Sequence, residues 1–154
     1  MSDEDAPRAL LERSRQTGFR LDREGRWWHE GEPVRHQGLA NALHRWIDQL
    51  ADGRYVLRLD ERRYAHFECA DTPYVVHSAR REDGSFWLLL SDGTEERLDP
   101  VTLARRGNDL VCRVKGGRHP ARLSRQAVYA LGESLCEDGA DLVLEAEGRR
   151  FPIR

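Results

Sequence analysis

Two stretches of the chain show the same order of hydrophobic and polar positions. Each runs from a short strand pattern through a Pro-x-Arg step to an amphipathic helix pattern, then to an Asp-Gly turn and a two-strand hairpin. The first stretch covers residues 26–64 and the second covers residues 109–153. This spacing predicts a duplicated α+β fold, in which two strand–helix–hairpin units pack over mostly antiparallel sheets.

Apolar residues at helical spacing define the helix of each stretch. In the first stretch they predict a helix over residues 36–50, with its apolar face formed by Leu39, Leu43, Trp46 and Leu50. This interpretation places Trp46 in the core. In the second stretch the helix is predicted to begin after the N-cap Ser124 and to run through Cys136, with its apolar face formed by Val128, Leu131 and Leu135.

Between the two stretches, alternating apolar positions predict a three-strand meander. The strand patterns cover residues 74–81, 85–90 and 94–98, and the connections are Asp83-Gly84 and Asp92-Gly93. Asp-Gly between two strand patterns is a strong hairpin signal, because both residues tolerate positive φ. We therefore expect these strands to be sequential neighbours in one sheet.

Turn-forming Gly and Pro residues divide the chain into three predicted parts. Residues 1–17 are predicted to hold a thin amphipathic helix, from Pro7 to Gln16, ending at Gly18. Residues 18–72 form the first repeat, which opens with a hairpin over residues 19–34. Residues 73–154 hold the meander and the second repeat.

Composition excludes several classes of partner. The 154 residues carry 25 Lys+Arg against 27 Asp+Glu, so the global charge gives no case for nucleic acid or acidic lipid as a partner. The longest apolar run is about five residues, far short of the ~20 that span a bilayer. Three scattered cysteines without a C-x-x-C pair, and no charged-then-apolar start, predict a cytoplasmic protein.

Basic residues cluster locally in residues 104–126. The segment holds one acidic residue, Asp109, and seven basic residues: Arg105, Arg106, Arg113, Lys115, Arg118, Arg122 and Arg125. Arginine forks suit phosphate or carboxylate, and Gly116-Gly117 permits close approach of the backbone, so the segment predicts an anion site. The alternative is a solvated strand pair whose arginines meet the acidic residues 95–96 and 137–138.

Aromatic and imidazole side chains supply the other candidates. Trp27 and Trp28 are adjacent in a strand pattern and so point to opposite faces, and an exposed one could stack on a ring. His119 lies between Arg118 and Pro120 and predicts a pH-sensitive anion contact. The histidine spacing matches no metal motif and no cofactor motif is present, so neither a metal nor a cofactor is predicted.

Four stretches resemble the bacterial domain-of-unknown-function 1285 (DUF1285) family. The resemblance runs from about Phe19 to the C-terminus and is carried by Trp27 with Gly31 and Pro33, by Gly53-Arg54-Tyr55, by Asp71-Thr72-Pro73-Tyr74-Val75, and by Ala121-Arg122-Leu123-Ser124-Arg125-Gln126-Ala127-Val128-Tyr129. It implies a duplicated fold whose C-terminal half is like a pleckstrin-homology domain, a site for a nucleotide-like ligand between the halves, and a role in signalling. Leu59-Asp60 departs from the Thr-Pro step expected there.

These observations predict a non-enzymatic binding module for a small anionic, nucleotide-like ligand in a cleft between the two halves. The ligand-binding residues are predicted to be Arg122 and Arg125, which pair with charge, Arg35 from the first repeat, a ring surface from Trp27 or Tyr129, and His119. One alternative is a protein–protein interaction or homodimerisation scaffold that uses a sheet edge or residues 1–17. Another is a hydrolase that uses His119 with an acidic partner, although G-x-S-x-G is absent.

Overall fold

The structure is a computed structural model that describes residues 16–154. The predicted N-terminal helix lies outside the described residues except at Gln16, which instead begins a strand that runs through Gly18. The chain divides into two compact units, Met1–Asp71 and Thr72–Arg154. This division lies one residue before the boundary predicted between the repeats.

The first unit contains one six-stranded sheet and one α-helix. Its strands are β1 (Gln16–Leu21), β2 (Trp27–His29), β3 (Glu32–Pro33), β4 (Ile47–Gln49), β5 (Tyr55–Arg58) and β6 (Tyr64–Cys69), and helix α1 covers Gln37–Arg45. The strand order is β3-β2-β1-β6-β5-β4. Strands β1 and β6 pair in parallel and the other neighbours are antiparallel. The core residues of this unit include Leu21, Trp27, Leu43 and Val56.

The second unit contains a six-stranded sheet, a three-stranded sheet and one α-helix. Its strands are β7 (Tyr74–Glu82), β8 (Ser85–Leu90), β9 (Glu95–Arg97), β10 (Ala104–Arg106), β11 (Asp109–Val114), β12 (His119–Leu123), β13 (Leu135–Asp138), β14 (Asp141–Ala146) and β15 (Arg149–Ile153), and helix α2 covers Arg125–Leu131. Short 3-10 turns lie at Pro100–Thr102 and Gly132–Ser134. The sheets have the orders β10-β11-β12-β7-β8-β9 and β13-β14-β15.

Antiparallel pairing dominates both units, and each six-stranded sheet has a single parallel pair, β1 with β6 and β12 with β7. The chain is thus mostly strand with two short described α-helices, which is consistent with the predicted α+β class. In the first predicted repeat the last three strands join the sheet of the first three, whereas in the second they form a separate sheet. Duplication and likeness to a pleckstrin-homology domain therefore stay predictions.

No helix in residues 16–154 is long and apolar enough to cross a membrane.

The predicted meander is confirmed, with its first turn formed by Asp83 and Gly84. Strands β7, β8 and β9 are antiparallel neighbours. Asp83 and Gly84 have φ values of 51° and 80°, so both central residues occupy the left-handed region that a type I′ hairpin requires. Glu147 and Gly148 repeat this geometry between β14 and β15, with φ values of 55° and 70°.

Both helices are shorter than predicted, and for the same reason. Helix α1 ends at Arg45 and is followed after Trp46 by strand β4, whereas α2 ends at Leu131 and is followed by the 3-10 turn Gly132–Ser134 and then by strand β13; both strands belong to hairpins. Extending α1 through Leu50 would remove β4, one of the two strands that pair with β5. Hairpin pairing therefore overrides the helical spacing. Trp46 consequently caps α1 and is 37% exposed, which corrects its predicted place in the core.

The predicted N-cap Ser124 is confirmed and has a second role. Its Oγ accepts the Ala127 N–H at 3.1 Å and donates to the His77 carbonyl at 2.7 Å. We expect Ser124→Ala to lower the free energy of unfolding by about 1–2 kcal/mol in urea denaturation, because both hydrogen bonds are lost.

Ser124→Asp separates the two roles of this hydroxyl. Its carboxylate still accepts from Ala127 but has no proton to donate to His77, so its stability should lie between those of the wild type and Ser124→Ala. A loss below about 0.5 kcal/mol for Ser124→Ala, typical of an ordinary surface position, would contradict the assignment.

Candidate functional site

Part of the basic segment builds the β11–β12 hairpin. Arg113 donates from Nε to the Gly117 carbonyl at 2.8 Å and from Nη2 to the Arg118 carbonyl at 3.1 Å. Arg118 Nε donates to the Lys115 carbonyl at 3.0 Å. These guanidinium groups therefore satisfy loop carbonyls, and this half of the segment has a structural role.

Lys115 joins two turns through a buried ion pair. Its Nζ lies 2.6 Å from Asp92 Oδ2 and donates to Thr94 Oγ1 at 2.9 Å. Its backbone N–H donates to the Glu96 carboxylate at 3.1 Å. Burial by itself would raise the pKa of Asp92, but the hydrogen bonds from Lys115 and Thr94 hold that pKa below its ordinary value. Acidic residues do meet this segment, although Asp92 rather than Glu95 pairs with the lysine.

Tyr74 and His119 lie beside this ion pair. The Lys115 ammonium is 5.4 Å from the centroid of the Tyr74 ring, and the His119 ring is 5.6 Å from that ring. Burial raises the pKa of Tyr74, and the nearby Asp92 raises it further, so the phenol stays protonated. His119 is also buried. A buried imidazole is not accessible to a ligand or to a hydrolytic water. This burial argues against the two roles predicted for His119, the pH-sensitive anion contact and the hydrolase residue.

Arg122, from the other half of the basic segment, lies near the end of β12, where this strand pairs in parallel with the first residues of β7. Arg122 is the fourth residue of β12 and is 8% exposed. Opposite it, the pairing of β7 with β8 shifts register between Val76 and Ser78, so His77 forms a bulge. Burial lowers the pKa of His77, and the positive charge of Arg122 lowers it further. His77 is nevertheless exposed, so this lowering of its pKa reflects partial desolvation first and the Arg122 charge second, and it favours the neutral imidazole at physiological pH.

Helix α2 places Arg125 and Tyr129 at the surface. Arg125 is the first residue of the helix and is exposed, and Tyr129 is 87% exposed. Residues four apart lie on the same face of an α-helix, so the cation and the ring are neighbours one turn apart. Arg125 and Tyr129, together with Arg122 and His77, are called here the α2 face.

The two remaining predicted ligand residues belong to the first unit. Trp27 is 2% exposed and its indole N–H donates to His44 Nδ1 at 2.8 Å, so it is a core residue rather than an open ring surface. Trp28 is the less buried member of the tryptophan pair, and its indole N–H donates to Asp22 at 2.9 Å. Arg35 is exposed and lines a groove of about 400 Å³ with residues that include Phe19 and Leu39.

The three cysteines are free thiols of low reactivity. Burial raises the pKa of Cys69 to about 11 and that of Cys112 to about 12, and a thiol protonated at neutral pH is a poor nucleophile. Within residues 16–154, no three His, Cys, Asp or Glu side chains gather in a way that would hold a metal ion.

Comparison with solved structures identifies the fold. A DUF1285 family protein from Silicibacter pomeroyi DSS-3 superposes with a TM-score of 0.74 at 17% identity, over 90% of this chain and 80% of that one. A DUF1285 family protein from Shewanella baltica OS155 superposes with a TM-score of 0.64 at 16% identity, over 76% of this chain and 91% of that one. The chain has the DUF1285 fold. No model of a protein family and no curated protein matches the sequence.

The two most specific stretches of the DUF1285 resemblance meet in the structure. Tyr74 to Val76 on β7 pair in parallel with Ala121 to Leu123 on β12. The buried Thr72 hydroxyl donates to the Tyr74 carbonyl at 2.6 Å and accepts the Arg122 N–H at 3.2 Å. The Asp-Thr-Pro-aromatic step therefore starts β7 in register with β12, and this pairing positions Arg122.

A hairpin turn forms at Leu59-Asp60, where the sequence departs from the step that the DUF1285 resemblance leads one to expect. The Asp60 carboxylate accepts the backbone N–H groups of Arg62 and Arg63 at 2.9 and 2.8 Å. Its other oxygen accepts Arg63 Nε at 2.6 Å. These bonds hold the pKa of Asp60 below its usual value, with the Arg63 side chain as the largest cause. An aspartate turn thus connects β5 to β6.

Sequence reasoning missed His77 within the candidate site. Its place depends on a bulge opposite β8 and on the carbonyl contact with Ser124, which is 47 residues away. No local pattern around Val76-His77-Ser78 signals either feature. Only the pairing of β7 with β12 brings the histidine and Arg122 together.

Proposed function

We propose that this chain is a non-enzymatic module that binds a small anionic, nucleotide-like ligand and acts in cytoplasmic signalling. The α2 face is the site that its side chains support best. The observation that carries the proposal is Tyr129, which is 87% exposed and one helical turn from the exposed Arg125. A solvent-exposed aromatic ring beside an arginine offers a stacking platform for a base and a charged fork for a phosphate.

Charge around the face supports the same ligand class. Arg122 adds a second, largely buried guanidinium whose positive field acts on His77. Because His77 stays neutral, its imidazole can donate and accept hydrogen bonds without adding a further charge. The face therefore combines cationic, aromatic and neutral polar groups, which is the combination that a nucleotide needs.

Substitution of Arg125 and Tyr129 tests the proposal. In a thermal-shift screen of nucleotides and phosphorylated metabolites, we expect at least one compound to stabilise the wild-type chain. Arg125→Ala and Tyr129→Ala should each weaken the binding of that compound about tenfold in calorimetry, since a charged hydrogen bond or one stacking contact is lost. Both residues are exposed, so neither variant should lose stability.

Arg105→Ala and Val101→Ala are the matched controls, because they remove an exposed arginine and an exposed apolar side chain elsewhere in the second unit. Both should bind as the wild type does. Unchanged binding in Arg125→Ala and Tyr129→Ala would remove the α2 face. A chain that no compound stabilises, but whose mass in light scattering falls on Tyr129→Ala, would favour the interaction scaffold instead.

A further inference from the structure

A second cluster of arginines lines a cavity in the second unit. The cavity has a volume of about 290 Å³ and is lined by Arg81, Glu145, Ala146, Gly148, Arg149 and Arg150. The lining residues thus include three arginines and one glutamate. The volume is near the lower end of the range of roughly 300–1,000 Å³ for small-molecule pockets.

The β14–β15 hairpin that forms one wall is held in place by its own turn. The Glu147 N–H donates to the Gly84 carbonyl at 2.8 Å. The Glu147 carboxylate accepts Arg97 Nε at 2.9 Å and the Ser85 hydroxyl at 3.3 Å. The hairpin is therefore fixed on the β7–β8 turn, and the cavity beside it exists before any ligand arrives.

Arg81 forms the other wall and is also positioned in advance. Its Nη1 donates to Ser134 Oγ at 3.1 Å, and Ser134 is buried. Its guanidinium lies 5.9 Å from the centroid of the Phe86 ring. A fixed guanidinium loses little conformational entropy when it binds an anion, which favours affinity.

Arg149 and Arg150 differ in their surroundings. Arg149 pairs across the hairpin with Ala146, whereas Arg150 pairs with Glu145. Arg150 lies 3.7 Å from the carboxylates of Glu145 and Asp138, so its charge is partly balanced. Arg149 forms no ion pair with any residue in the part of the chain that the structure describes, and its exposed side chain can pair with a ligand.

The geometry points to a binding site for a compact phosphate-bearing anion of the pyrophosphate class, held by Arg81 and Arg149 with Arg150 at the edge. A planar carboxylate is satisfied by one arginine fork, whereas a phosphate group accepts hydrogen bonds from several directions. Glu145 repels a fully ionised oxyanion, but it accepts a hydrogen bond from a phosphate oxygen that keeps its proton. The site uses none of the residues of the α2 face.

Calorimetry with inorganic pyrophosphate near pH 6 and at low salt tests this site. The second ionisation of a phosphate group has a pKa of about 6, so protonated oxygens are present. We expect saturable binding by the wild-type chain that is tighter than sulfate binding at equal ionic strength. Arg149→Ala should weaken it about tenfold, the loss of one charged hydrogen bond, and Arg149→Lys should lie between.

Arg105→Ala is the matched control, because it removes an exposed arginine elsewhere in the second unit, and it should bind pyrophosphate as the wild type does. In ¹⁵N NMR spectra, pyrophosphate should shift the amides of Gly148 and Arg149. Shifts confined to Ser124 and Arg125 would place pyrophosphate at the α2 face and overturn the inference, as would equal binding of sulfate or undiminished binding by Arg149→Ala.

Discussion

Replacement of Lys115 with methionine is expected to lower the free energy of unfolding by about 3 kcal/mol, measured by urea denaturation at neutral pH. The Asp92 side chain is 1% exposed, and Lys115 is the residue that balances its charge at 2.6 Å. Methionine keeps the length of the lysine stem near the Tyr74 ring but leaves the carboxylate buried without its cation. The pair joins turns that are 23 residues apart, so its loss should also loosen the β11–β12 hairpin.

Acid titration gives an independent check on the same pair. Because the pKa of Asp92 is lower in the folded chain than its ordinary value of 3.8, the carboxylate stabilises the fold above that value. This contribution is lost as the pH falls towards the folded pKa. The wild type should therefore lose stability below about pH 4, and Lys115→Met should lose less over the same interval.

The double variant Lys115→Met, Asp92→Asn is the control for desolvation. It removes both charges, so it should recover part of the stability that Lys115→Met loses. A single variant as stable as the wild type, or two acid titration curves of the same shape, would contradict the assigned role of the pair.

The second large effect is expected at Trp27, where Trp27→Ala should lower the free energy of unfolding by about 3–5 kcal/mol. The indole contacts Phe67 with a centroid separation of 5.0 Å and His44 with a separation of 5.3 Å. Its removal leaves a cavity in the first unit, and His44 Nδ1 loses the hydrogen bond that it accepts from the indole N–H. Trp27→Phe refills most of the volume and should cost less, so the two variants separate packing from the hydrogen bond.

Trp28→Ala is the matched control, because the same side-chain type is removed from the next residue on the other face of β2. Trp28 is only partly buried and contacts the guanidinium of Arg20 at 5.6 Å from the ring centroid. Trp28→Ala should lower the free energy of unfolding clearly less than Trp27→Ala does in the same urea experiment. Equal losses would mean that the two faces of β2 do not differ as the structure describes.

Trp27 also shows how a candidate site residue can be misplaced from sequence. Strand alternation correctly indicates that Trp27 and Trp28 face opposite sides, but it does not indicate which side is the core. His44 decides this, because its Nδ1 provides the buried acceptor that an indole N–H needs. The same limit applies to His119, which alternation leaves undecided and which the packing against Tyr74 buries.

Local features of this chain follow from its sequence. Asp83-Gly84 forms the predicted hairpin turn, Ser124 is the predicted cap, and β8 covers the predicted residues 85–90. Each depends on backbone dihedral angles and hydrogen bonds within a few residues, and those interactions are encoded by the side chains present. The DUF1285 fold also follows, since the stretches that carry the resemblance form the paired strands β7 and β12.

Only the tertiary structure decided where the helices end and which distant strands are neighbours. Helix α1 gives way to β4 because residues 47–49 pair with β5, and this pairing buries Ile47 in the core of the first unit. The parallel pair β7–β12 joins residues about 47 apart, and it alone brings His77 to Arg122. Likewise, Arg81 and Arg149 share a cavity because the β14–β15 hairpin rests on the β7–β8 turn. Such contacts depend on the packing energy of the whole unit, which no short window of residues contains.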